Sequence, residues 1–268
     1  MQDKDNIAIL IVSCDAYADL WQPLISSLRR HWQNCPYKIY LSTNYLKPHF
    51  NGISVLPVGE DISWSDNLRF ALSLIEEQNV LLHIDDLIHC DDVDVEGLRK
   101  IFNWFIASGA KYVKCYSTNL QKKPNKQLVR LVEKGGLYRI STVFTLWEKN
   151  TLLSLLRPGE NAWEFEVLGS ERADRLDGIY AATCNHFCFM NGVVKGKWDL
   201  RALKKLSVSG VYADLTLRKA MTHYEQFVLF YKECRSNMLN FFPERHRRSV
   251  KKFFLRDKFS NYRQENKK

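Results

Sequence analysis

Short apolar runs of strand length alternate along this chain with longer segments that carry an apolar stripe of helical spacing. Residues 7–12 form the first run, and Leu20, Leu24, Leu28 and Trp32 then recur every four positions. A spacing of four lays such residues along one face of a helix. Because strands that alternate with one-sided helices pack as a sheet covered by helices, the pattern predicts an α/β fold.

The remaining elements are predicted from the same two patterns. Further strands are expected at 38–43, 53–58, 80–84, 111–115, 141–147 and 187–194, and further helices at 65–78, 95–107, 125–133, 162–171 and 214–234. No internal repeat and no low-complexity linker interrupts the sequence. We therefore predict one folded domain, 1–235, followed by a helical C-terminal tail, 236–268.

With 268 residues, of which 46% are hydrophobic, the chain is long enough to bury a sizeable core. Its longest apolar runs fall far short of the roughly 20 residues that a membrane-spanning helix needs. The first six residues are polar and lack the features of a signal peptide, so we expect a cytoplasmic protein. The seven cysteines are odd in number and scattered, which favours reduced thiols over disulfides or a structural zinc site.

The net charge of +9 is concentrated at the C-terminal end. Residues 232–268 contain 12 Lys and Arg against 4 Asp and Glu, a balance of +8, and phenylalanines lie between the basic positions. A basic, aromatic segment suits an anionic membrane surface, where apolar side chains enter the headgroup region and cations meet lipid phosphates. We therefore expect peripheral attachment to a membrane. Nucleic-acid binding and a simple solvated helix are the alternatives for this segment.

An apolar run at 80–84 ends in two adjacent carboxylates, Asp85 and Asp86. Carboxylates at the carboxyl end of a buried strand lose hydration, so a cation is expected to compensate them. In nucleotide chemistry Mg²⁺ and Mn²⁺ bind one or two carboxylates and fill the remaining positions with phosphate and water. The pair therefore predicts a divalent-metal site for a nucleotide or a nucleotide sugar. The alternative is an acidic surface loop, since three more aspartates follow within 91–94.

A series of short motifs runs in order through residues 7–200. They are Ser-Cys-Asp-Ala-Tyr at 13–17, Trp-Ser-Asp at 64–66, the Asp85-Asp86 pair, Tyr-Arg-Ile-Ser at 138–141, Pro-Gly-Glu-Asn-Ala-Trp-Glu-Phe-Glu at 158–166 and Asn-Gly-Val-Val-Lys-Gly-Lys-Trp at 191–198. In this order the motifs resemble bacterial polysaccharide glycosyltransferases of the GT-A type. The resemblance implies a Rossmann-like mixed sheet that binds a sugar nucleotide. It also implies an Asp-x-Asp-like motif that holds Mn²⁺ or Mg²⁺ on the diphosphate, although here the two aspartates are adjacent.

Candidate contacts to the donor nucleotide lie at the ends of predicted strands. Ser13 and Asp15 follow the first strand, and Asp66 begins the helix after the third, where nucleotides bind in open α/β sheets. Arg69, one turn further along that helix, is expected to reach a phosphate. Asp15 and Asp66 have an equally simple alternative role, which is to cap the helices that follow them.

Two cations and two further metal-ligand candidates lie late in the chain. Lys195 and Lys197 are separated by one glycine and are expected to close over the diphosphate from a flexible turn. The stretch resembles a Gly-x-x-Lys-x-Trp element of other glycosyltransferases, in which a nearby histidine often completes the metal shell. His186 and Asn191 are the candidates for that third ligand here. Ordinary packing or hydrogen bonding of these two side chains is the alternative.

An inverting glycosyl transfer needs a base that takes the proton of the acceptor hydroxyl, and carboxylates commonly do this. Glu166 is the first candidate and Glu164 the second, with Trp163 as a stacking surface for the acceptor sugar. The stretch resembles the Trp-rich acidic element that carries the base in several inverting GT-A families. The alternative is that the two glutamates only stabilise a helix N-terminus through the macrodipole.

Together these patterns predict a glycosyltransferase that moves a sugar from a nucleotide-sugar donor to a lipid-linked glycan in cell-surface polysaccharide synthesis. A nucleotidyltransferase acting on sugar phosphates is the first alternative, but the loop at 13–17 lacks the glycines and cations of a phosphate loop. A non-enzymatic nucleic-acid-binding protein is the second. It would explain the basic tail and leave the acidic motifs of the body unexplained.

Overall fold

The computed structural model describes residues 6–117, 127–136 and 138–239. The chain divides into two compact units, 1–221 and 222–268. The predicted boundary at 235/236 falls inside the last described helix, and residues 240–268 of the predicted basic tail lie outside the described residues.

The described strands, in chain order, are β1 (Ile7–Val12), β2 (Lys38–Thr43), β3 (Ile53–Pro57), β4 (Asn79–Ile84), β5 (Leu87–His89), β6 (Tyr112–Lys114), β7 (Val129–Leu131), β8 (Thr145–Glu148), β9 (Ile179–Ala182), β10 (Phe189–Asn191), β11 (Val193–Val194) and β12 (Lys197–Trp198). The described helices are α1 (Ala18–His31), α2 (Trp64–Ser73), α3 (Val95–Ser108), α4 (Lys149–Leu155), α5 (Ala162–Ala173), α6 (Leu200–Val208) and α7 (His223–Leu239). A 3-10 turn at Asp15–Tyr17 precedes α1.

Eight of the described strands form one mixed sheet in the order β3-β2-β1-β4-β8-β6-β9-β7. Strand β1 pairs in parallel with β2 on one side and with β4 on the other. Strand β4 pairs antiparallel with β8, which turns the other half of the sheet into a mixed arrangement. Chain order reverses between β1 and β4, and such a switch point opens a crevice at the carboxyl ends of the strands. The α/β, Rossmann-like mixed sheet predicted from the sequence is confirmed.

Strand β1 is buried along its whole length because helices cover both faces of the sheet. Its odd-numbered residues, Ile7, Ile9 and Ile11, pack in a core cluster with the apolar sides of α1 and α3. Its even-numbered residues belong to a second cluster with α2, α4 and α5. This double burial explains why β1 appears in the sequence as a continuous apolar run.

The helix predicted at 125–133 is wrong for the residues that the structure describes. Residues 129–131 form β7, an edge strand that pairs antiparallel with β9, and residues 125 and 126 lie outside the described part. The segment is short, and pairing with a strand edge overrides a weak local preference. Helix α2 is also shorter than predicted, because the Leu74 N–H bonds back to the Ala71 carbonyl oxygen and ends the helix.

The long helix predicted at 214–234 begins later, at His223. Thr222 and Glu225 form a capping box, in which each side chain bonds the backbone N–H of the other residue. Residues 219–221 instead run beside β12, where the Trp198 N–H donates to the Lys219 carbonyl oxygen. Among the described residues, no helix combines the length and the apolar character needed to cross a bilayer.

Candidate functional site

A cleft of about 580 Å³ opens at the switch point between β1 and β4. Its lining comes from the loops that follow these two strands, the loop before α2, the segment before β8, the first turn of α5 and the end of β10. The polar side chains among the lining residues are those of Ser13, Tyr17, Asp61, Ser63, Asn67, Asp85, Asp86, Thr142, Asn161, Glu166 and Asn191.

The Asp85 carboxylate is held by hydrogen bonds that start in helix α1. Ser13 Oγ donates to Asp85 Oδ2 at 2.6 Å, and Trp21 Nε1 donates to Ser13 Oγ at 2.7 Å. The Ser13 backbone is held from β2, because its N–H donates to Ser42 Oγ and its carbonyl oxygen accepts from the same hydroxyl. Ser13, predicted as a donor contact, therefore also fixes the position of Asp85.

The surrounding protein compensates the ionised forms of both aspartates poorly. Burial raises the pKa of Asp85 to about 7, and the neighbouring Asp86 adds to the rise while the Ser13 hydrogen bond reduces it. Burial likewise raises the pKa of Asp86 to about 6. A bound cation would stabilise the ionised form of both groups.

The described residues fit a divalent ion that also binds phosphate and water. They contain no group of three or more His, Cys, Asp or Glu side chains arranged to hold a metal. The cleft does contain the two adjacent carboxylates of Asp85 and Asp86, and Asn191 lines it as well. Mg²⁺ and Mn²⁺ often use only one or two protein carboxylates when a nucleotide supplies phosphate oxygens.

His186 lies away from this cleft, against the start of α3. Its Nδ1 is 2.8 Å from Asp94 Oδ2, and its ring packs so closely on Gly97 that a Cβ there would come within 2.3 Å of Nδ1. The side chain is buried and does not line the cleft.

Gly192 holds the backbone of the aspartate pair in place. Strand β10 pairs antiparallel with β5, and directly beyond it the Gly192 N–H donates to the Asp86 carbonyl oxygen at 2.5 Å. A Cβ at this position would lie 2.8 Å from Ile88 Cγ1 and 3.2 Å from the Asp86 carbonyl oxygen. Only glycine permits this close approach without a shift of neighbouring atoms.

Glu166 enters the cleft from α5 with one carboxylate oxygen firmly bound. Its Oε1 accepts from Ser141 Oγ at 2.8 Å, from the Thr142 N–H at 2.7 Å and from Thr142 Oγ1 at 3.0 Å. Among the hydrogen bonds found in the described residues, all those of this carboxylate go to Oε1, so Oε2 is the oxygen that can serve a ligand. Trp163, on the first turn of the same helix, is 78% exposed at the rim of the cleft.

Glu164 has a different place from Glu166 although both lie on α5. Its carboxylate accepts from the Asn161 N–H at 3.0 Å, and its own N–H donates to Asn161 Oδ1 at 2.9 Å. This is a capping box, which satisfies two backbone donors at the start of the helix. Glu164 does not line the cleft.

Asp15 binds backbone groups of the loop after β2. Its carboxylate accepts from the N–H groups of Asn44, Tyr45 and Leu46 at 2.9 to 3.1 Å. The Asp15 N–H in turn donates to Asn44 Oδ1. The contacts join the loops that follow β1 and β2, and Asp15 does not line the cleft.

Asp66 and Arg69 bind the segment between α4 and α5. Asp66 Oδ2 accepts from Ser63 Oγ and from the Gly159 N–H, and the hydrogen bond from Ser63 lowers the pKa of this carboxyl. Arg69 donates to the Leu156 carbonyl oxygen at 2.8 Å. Neither side chain lines the cleft.

Lys195 and Lys197 flank a tight turn between β11 and β12. Lys195 and Gly196 both have positive φ, at 53° and 73°. The turn is held by Arg218, whose Nη1 is 3.5 Å from the Gly196 carbonyl oxygen and whose guanidinium pairs with Asp19 at 2.8 Å. Neither lysine lines the cleft.

The structure thus brings six of the predicted site residues into one cleft and leaves seven outside it. The six are Ser13, Asp85, Asp86, Trp163, Glu166 and Asn191. The seven are Asp15, Asp66, Arg69, Glu164, His186, Lys195 and Lys197. The roles proposed for these residues stay predictions.

Sequence reasoning missed several groups in and behind the cleft. Asp61 and Asn67 line it and bond each other at 2.7 Å, but no pattern around them distinguishes them from ordinary loop and helix residues. Thr142 directly follows a noted motif, 138–141, and extending that motif by one residue would have included it. Arg218 has no local signal, because Asp19 and Ala16, which it binds beside the cleft, lie about 200 positions earlier.

Comparison of the sequence with protein-family models and with curated proteins gives no match. Among solved structures, the chain is similar to S. aureus TarS 1-349 in complex with UDP-GlcNAc, at 11% identity and a TM-score of 0.50, covering 78% of this chain and 68% of TarS. It is also similar to a UDP-glucose pyrophosphorylase complexed with UDP-glucose, at 8% identity and a TM-score of 0.50, covering 76% of this chain and 98% of the other.

The chain spans only part of the TarS structures, 59% of another TarS 1-349 structure and 40% of a longer TarS. At identities this low the likeness describes the fold alone. Both neighbours share the overall fold with this chain at a TM-score of 0.50. The chain therefore has an α/β, Rossmann-like fold that is GT-A-like.

Proposed function

We propose that this protein is a metal-dependent, inverting glycosyltransferase that takes a sugar from a nucleotide-sugar donor. One observation carries the proposal: the Asp85-Asp86 pair and the Glu166 carboxylate share a single cleft at the switch point of the sheet. The pair has the chemistry to hold a metal and diphosphate. Glu166 has the chemistry of a base, and Trp163 beside it offers a face on which a sugar can stack.

In the proposed reaction the acceptor hydroxyl oxygen forms a bond to the anomeric carbon of the donor sugar. Its proton passes to Glu166 Oε2, while Oε1 stays bound to Ser141 and Thr142. The bond between the anomeric carbon and the phosphate oxygen breaks, and the nucleoside diphosphate leaves with the electron pair. A metal ion held by Asp85 and Asp86, with Asn191 nearby, would stabilise the negative charge of that leaving group when bound.

The charge of the cleft supports glycosyl transfer over nucleotidyl transfer. Among the described residues that line it are four carboxylates, Asp61, Asp85, Asp86 and Glu166, and no Lys or Arg. A nucleotidyltransferase must hold a nucleoside triphosphate together with a sugar phosphate, which brings more negative charge than one nucleotide sugar. The loop after β1, without glycine or cation, supports the same choice.

The two structural neighbours represent both classes, a glycosyltransferase and a nucleotidyltransferase. The TarS structure is a complex with UDP-GlcNAc and the pyrophosphorylase structure a complex with UDP-glucose, which supports a sugar nucleotide as the ligand here. We therefore propose a UDP-sugar as the first donor to test.

For the acceptor we propose a lipid-linked glycan of a cell-surface polysaccharide, with the protein attached peripherally to the inner face of the membrane. The support is the sequence of the tail at 236–268, with its cations and phenylalanines. Partition onto anionic liposomes should fall when residues 241–268 are deleted. Unchanged partition would remove the membrane part of the proposal.

Product analysis tests the reaction itself. Incubated with Mn²⁺ and UDP-, GDP-, CDP- or dTDP-sugars, the protein should release one nucleoside diphosphate, slowly with water and faster with a glycan acceptor. Formation of pyrophosphate from a nucleoside triphosphate and a sugar 1-phosphate would instead identify a nucleotidyltransferase.

The base is tested by a matched pair of substitutions on α5. Glu166→Gln should lower kcat by about 10²- to 10⁴-fold because it cannot take a proton. Glu164→Gln keeps the capping box, since glutamine serves there too, and should leave kcat nearly unchanged. Equal kcat values for the two variants would show that Glu166 is not the base.

A further inference from the structure

Two hydrogen bonds connect helix α1 to the Asp85 carboxylate through the Ser13 hydroxyl. Trp21, which donates the first of these two bonds, lies in the core beneath the cleft and is only 3% exposed. We propose that Trp21 is a positioning residue for the metal ligand Asp85, acting through Ser13. This inference rests on the proposed function, because it gives Asp85 a metal to bind.

The direction of the two bonds follows from the chemistry of the groups. An indole N–H can only donate, so Ser13 Oγ accepts from Trp21 and must send its single proton elsewhere. Two acceptors lie within reach, Asp85 Oδ2 at 2.6 Å and the Cys14 carbonyl oxygen at 3.4 Å. The carboxylate is the nearer and the stronger acceptor. The Ser13 proton therefore points to Asp85 Oδ2, and Oδ1 is the oxygen that can turn toward an ion.

Two hydrogen bonds with Ser42 hold the Ser13 backbone in place. The Ser13 N–H donates to Ser42 Oγ at 3.0 Å, and the Ser42 hydroxyl donates to the Ser13 carbonyl oxygen at 3.1 Å. With the backbone held, rotation about the Cα–Cβ bond or the Cβ–Oγ bond of Ser13 is the motion that can release Asp85. The Trp21 N–H opposes that rotation and polarises the hydroxyl, which strengthens the bond that it donates.

Trp32, directly after α1, offers a control within the same protein. It is also 3% exposed and packs in the same core cluster as Trp21. Its indole N–H has no hydrogen-bond acceptor among the described residues. Changing either tryptophan to phenylalanine removes similar packing area, but only Trp21→Phe removes a hydrogen bond.

The test is Mn²⁺ binding to the full chain in the presence of UDP, measured by electron paramagnetic resonance of free Mn²⁺. Trp21→Phe should weaken Mn²⁺ binding by about 3- to 10-fold, the effect of one hydrogen bond. Ser13→Ala should weaken it by about 10- to 100-fold, as loss of a direct partner of a metal ligand does. Trp32→Phe should stay within about twofold of the unmodified protein.

A double substitution separates positioning from packing. If Trp21 acts only through Ser13, then Trp21→Phe combined with Ser13→Ala binds Mn²⁺ no more weakly than Ser13→Ala alone. Effects that multiply, or unchanged binding by Trp21→Phe, would overturn the inference and leave the proposed function intact. No Mn²⁺ binding by the unmodified protein with UDP, GDP, CDP or dTDP would overturn both.

A second measurement does not depend on the folding of a Trp21 variant. In ¹⁵N-labelled protein, the Trp21 indole signal should move when Mg²⁺ and UDP bind, whereas the Trp32 signal should not. The movement should disappear in Ser13→Ala. A Trp21 signal that ignores Mg²⁺ and UDP in the unmodified protein, while other signals respond, would also overturn the inference.

Discussion

Aspartates occur in two environments in this fold, and the two environments shift the pKa of the carboxyl group in opposite directions. At the starts of α2 and α3, Asp66 and Asp94 accept hydrogen bonds from backbone N–H groups. The pKa of Asp66 is lowered by its hydrogen bond from the Ser63 hydroxyl and, to a smaller extent, by the bond from the Gly159 N–H. After β4, Asp85 and Asp86 meet few donors, and burial raises the pKa of both. The first kind stabilises backbone structure, as the N-cap of α3 for Asp94 and as an acceptor for the segment before α5 for Asp66. The second kind costs stability unless a bound cation compensates the charge.

The largest effect is expected when one charge of the Asp85-Asp86 pair is removed. Asp86→Asn should lower Mn²⁺ affinity in the presence of UDP by at least about 100-fold, because loss of a ligand exceeds the loss of a ligand's partner. The matched control is Asp92→Asn, an exposed aspartate of the acidic loop that does not line the cleft. Equal losses in both variants, measured by calorimetric titration, would favour the acidic-loop interpretation.

Unfolding as a function of pH sharpens the same comparison. The pKa of Asp85 rises from 3.8 to about 7 on folding, so its contribution to stability is fully present below pH 3.8 and is lost as the pH rises through 7. We subtract the unfolding free energy of the unmodified protein from that of Asp85→Asn, both in EDTA. This difference should therefore increase by on the order of 1–3 kcal/mol between pH 5 and pH 8. Guanidinium titrations at four pH values measure this difference. A difference that does not change with pH would mean that neighbouring groups already compensate the Asp85 charge.

The backbone beneath the pair is open to a steric test. Gly192→Ala should cost about 1–3 kcal/mol of unfolding free energy, because the new Cβ would lie 2.8 Å from Ile88 Cγ1. It should also weaken Mn²⁺ binding, since Gly192 bonds the Asp86 carbonyl oxygen. Gly136→Ala is the control, because its Cβ would have an ordinary contact at 3.6 Å. Similar stability of both variants would contradict the close packing at Gly192.

The smallest expected effect comes from a capping aspartate. Asp94→Ala removes the N-cap of α3, whose carboxylate accepts from the Gly97 N–H at 2.9 Å, and should cost about 1 kcal/mol. Asp177→Ala, which removes an exposed carboxylate paired with Lys134, should leave stability nearly unchanged. Urea unfolding at pH 7 compares the two. If Asp94→Ala were more stable than the unmodified protein, Asp94 would not be a stabilising aspartate and would not differ from Asp85 in this respect.

Much of the parallel half of the sheet could be predicted from the sequence. The ends of β1 and β2 agree with prediction, and β4 differs by one residue, because buried parallel strands appear as continuous apolar runs. Prediction failed at β7 and at the start of α7. A three-residue edge strand takes its conformation from its partner. The start of α7 depends on the capping box of Thr222 and Glu225, which apolar periodicity does not reveal.

The candidate site shows the same division. The Asp85-Asp86 pair was visible because charge at the end of an apolar run is unusual, and Glu166 because it follows an aromatic and acidic motif. The separation of Glu166 from Glu164 was not settled by the sequence. Both lie in the first turns of one helix, and only the contact of Glu164 with Asn161 shows which of them is used as a cap.

Local apolar periodicity and the cost of burying charge were enough to predict the α/β class, the main strands and the carboxylates that end them. Which carboxylates share a cleft, and which groups hold them, depends on the tertiary structure. The Trp21, Ser13 and Asp85 side chains come from three segments that meet only when β1 pairs with β4 and α1 packs on the sheet. Hydrogen bonds between distant segments depend on chain topology, and local sequence patterns do not record that topology.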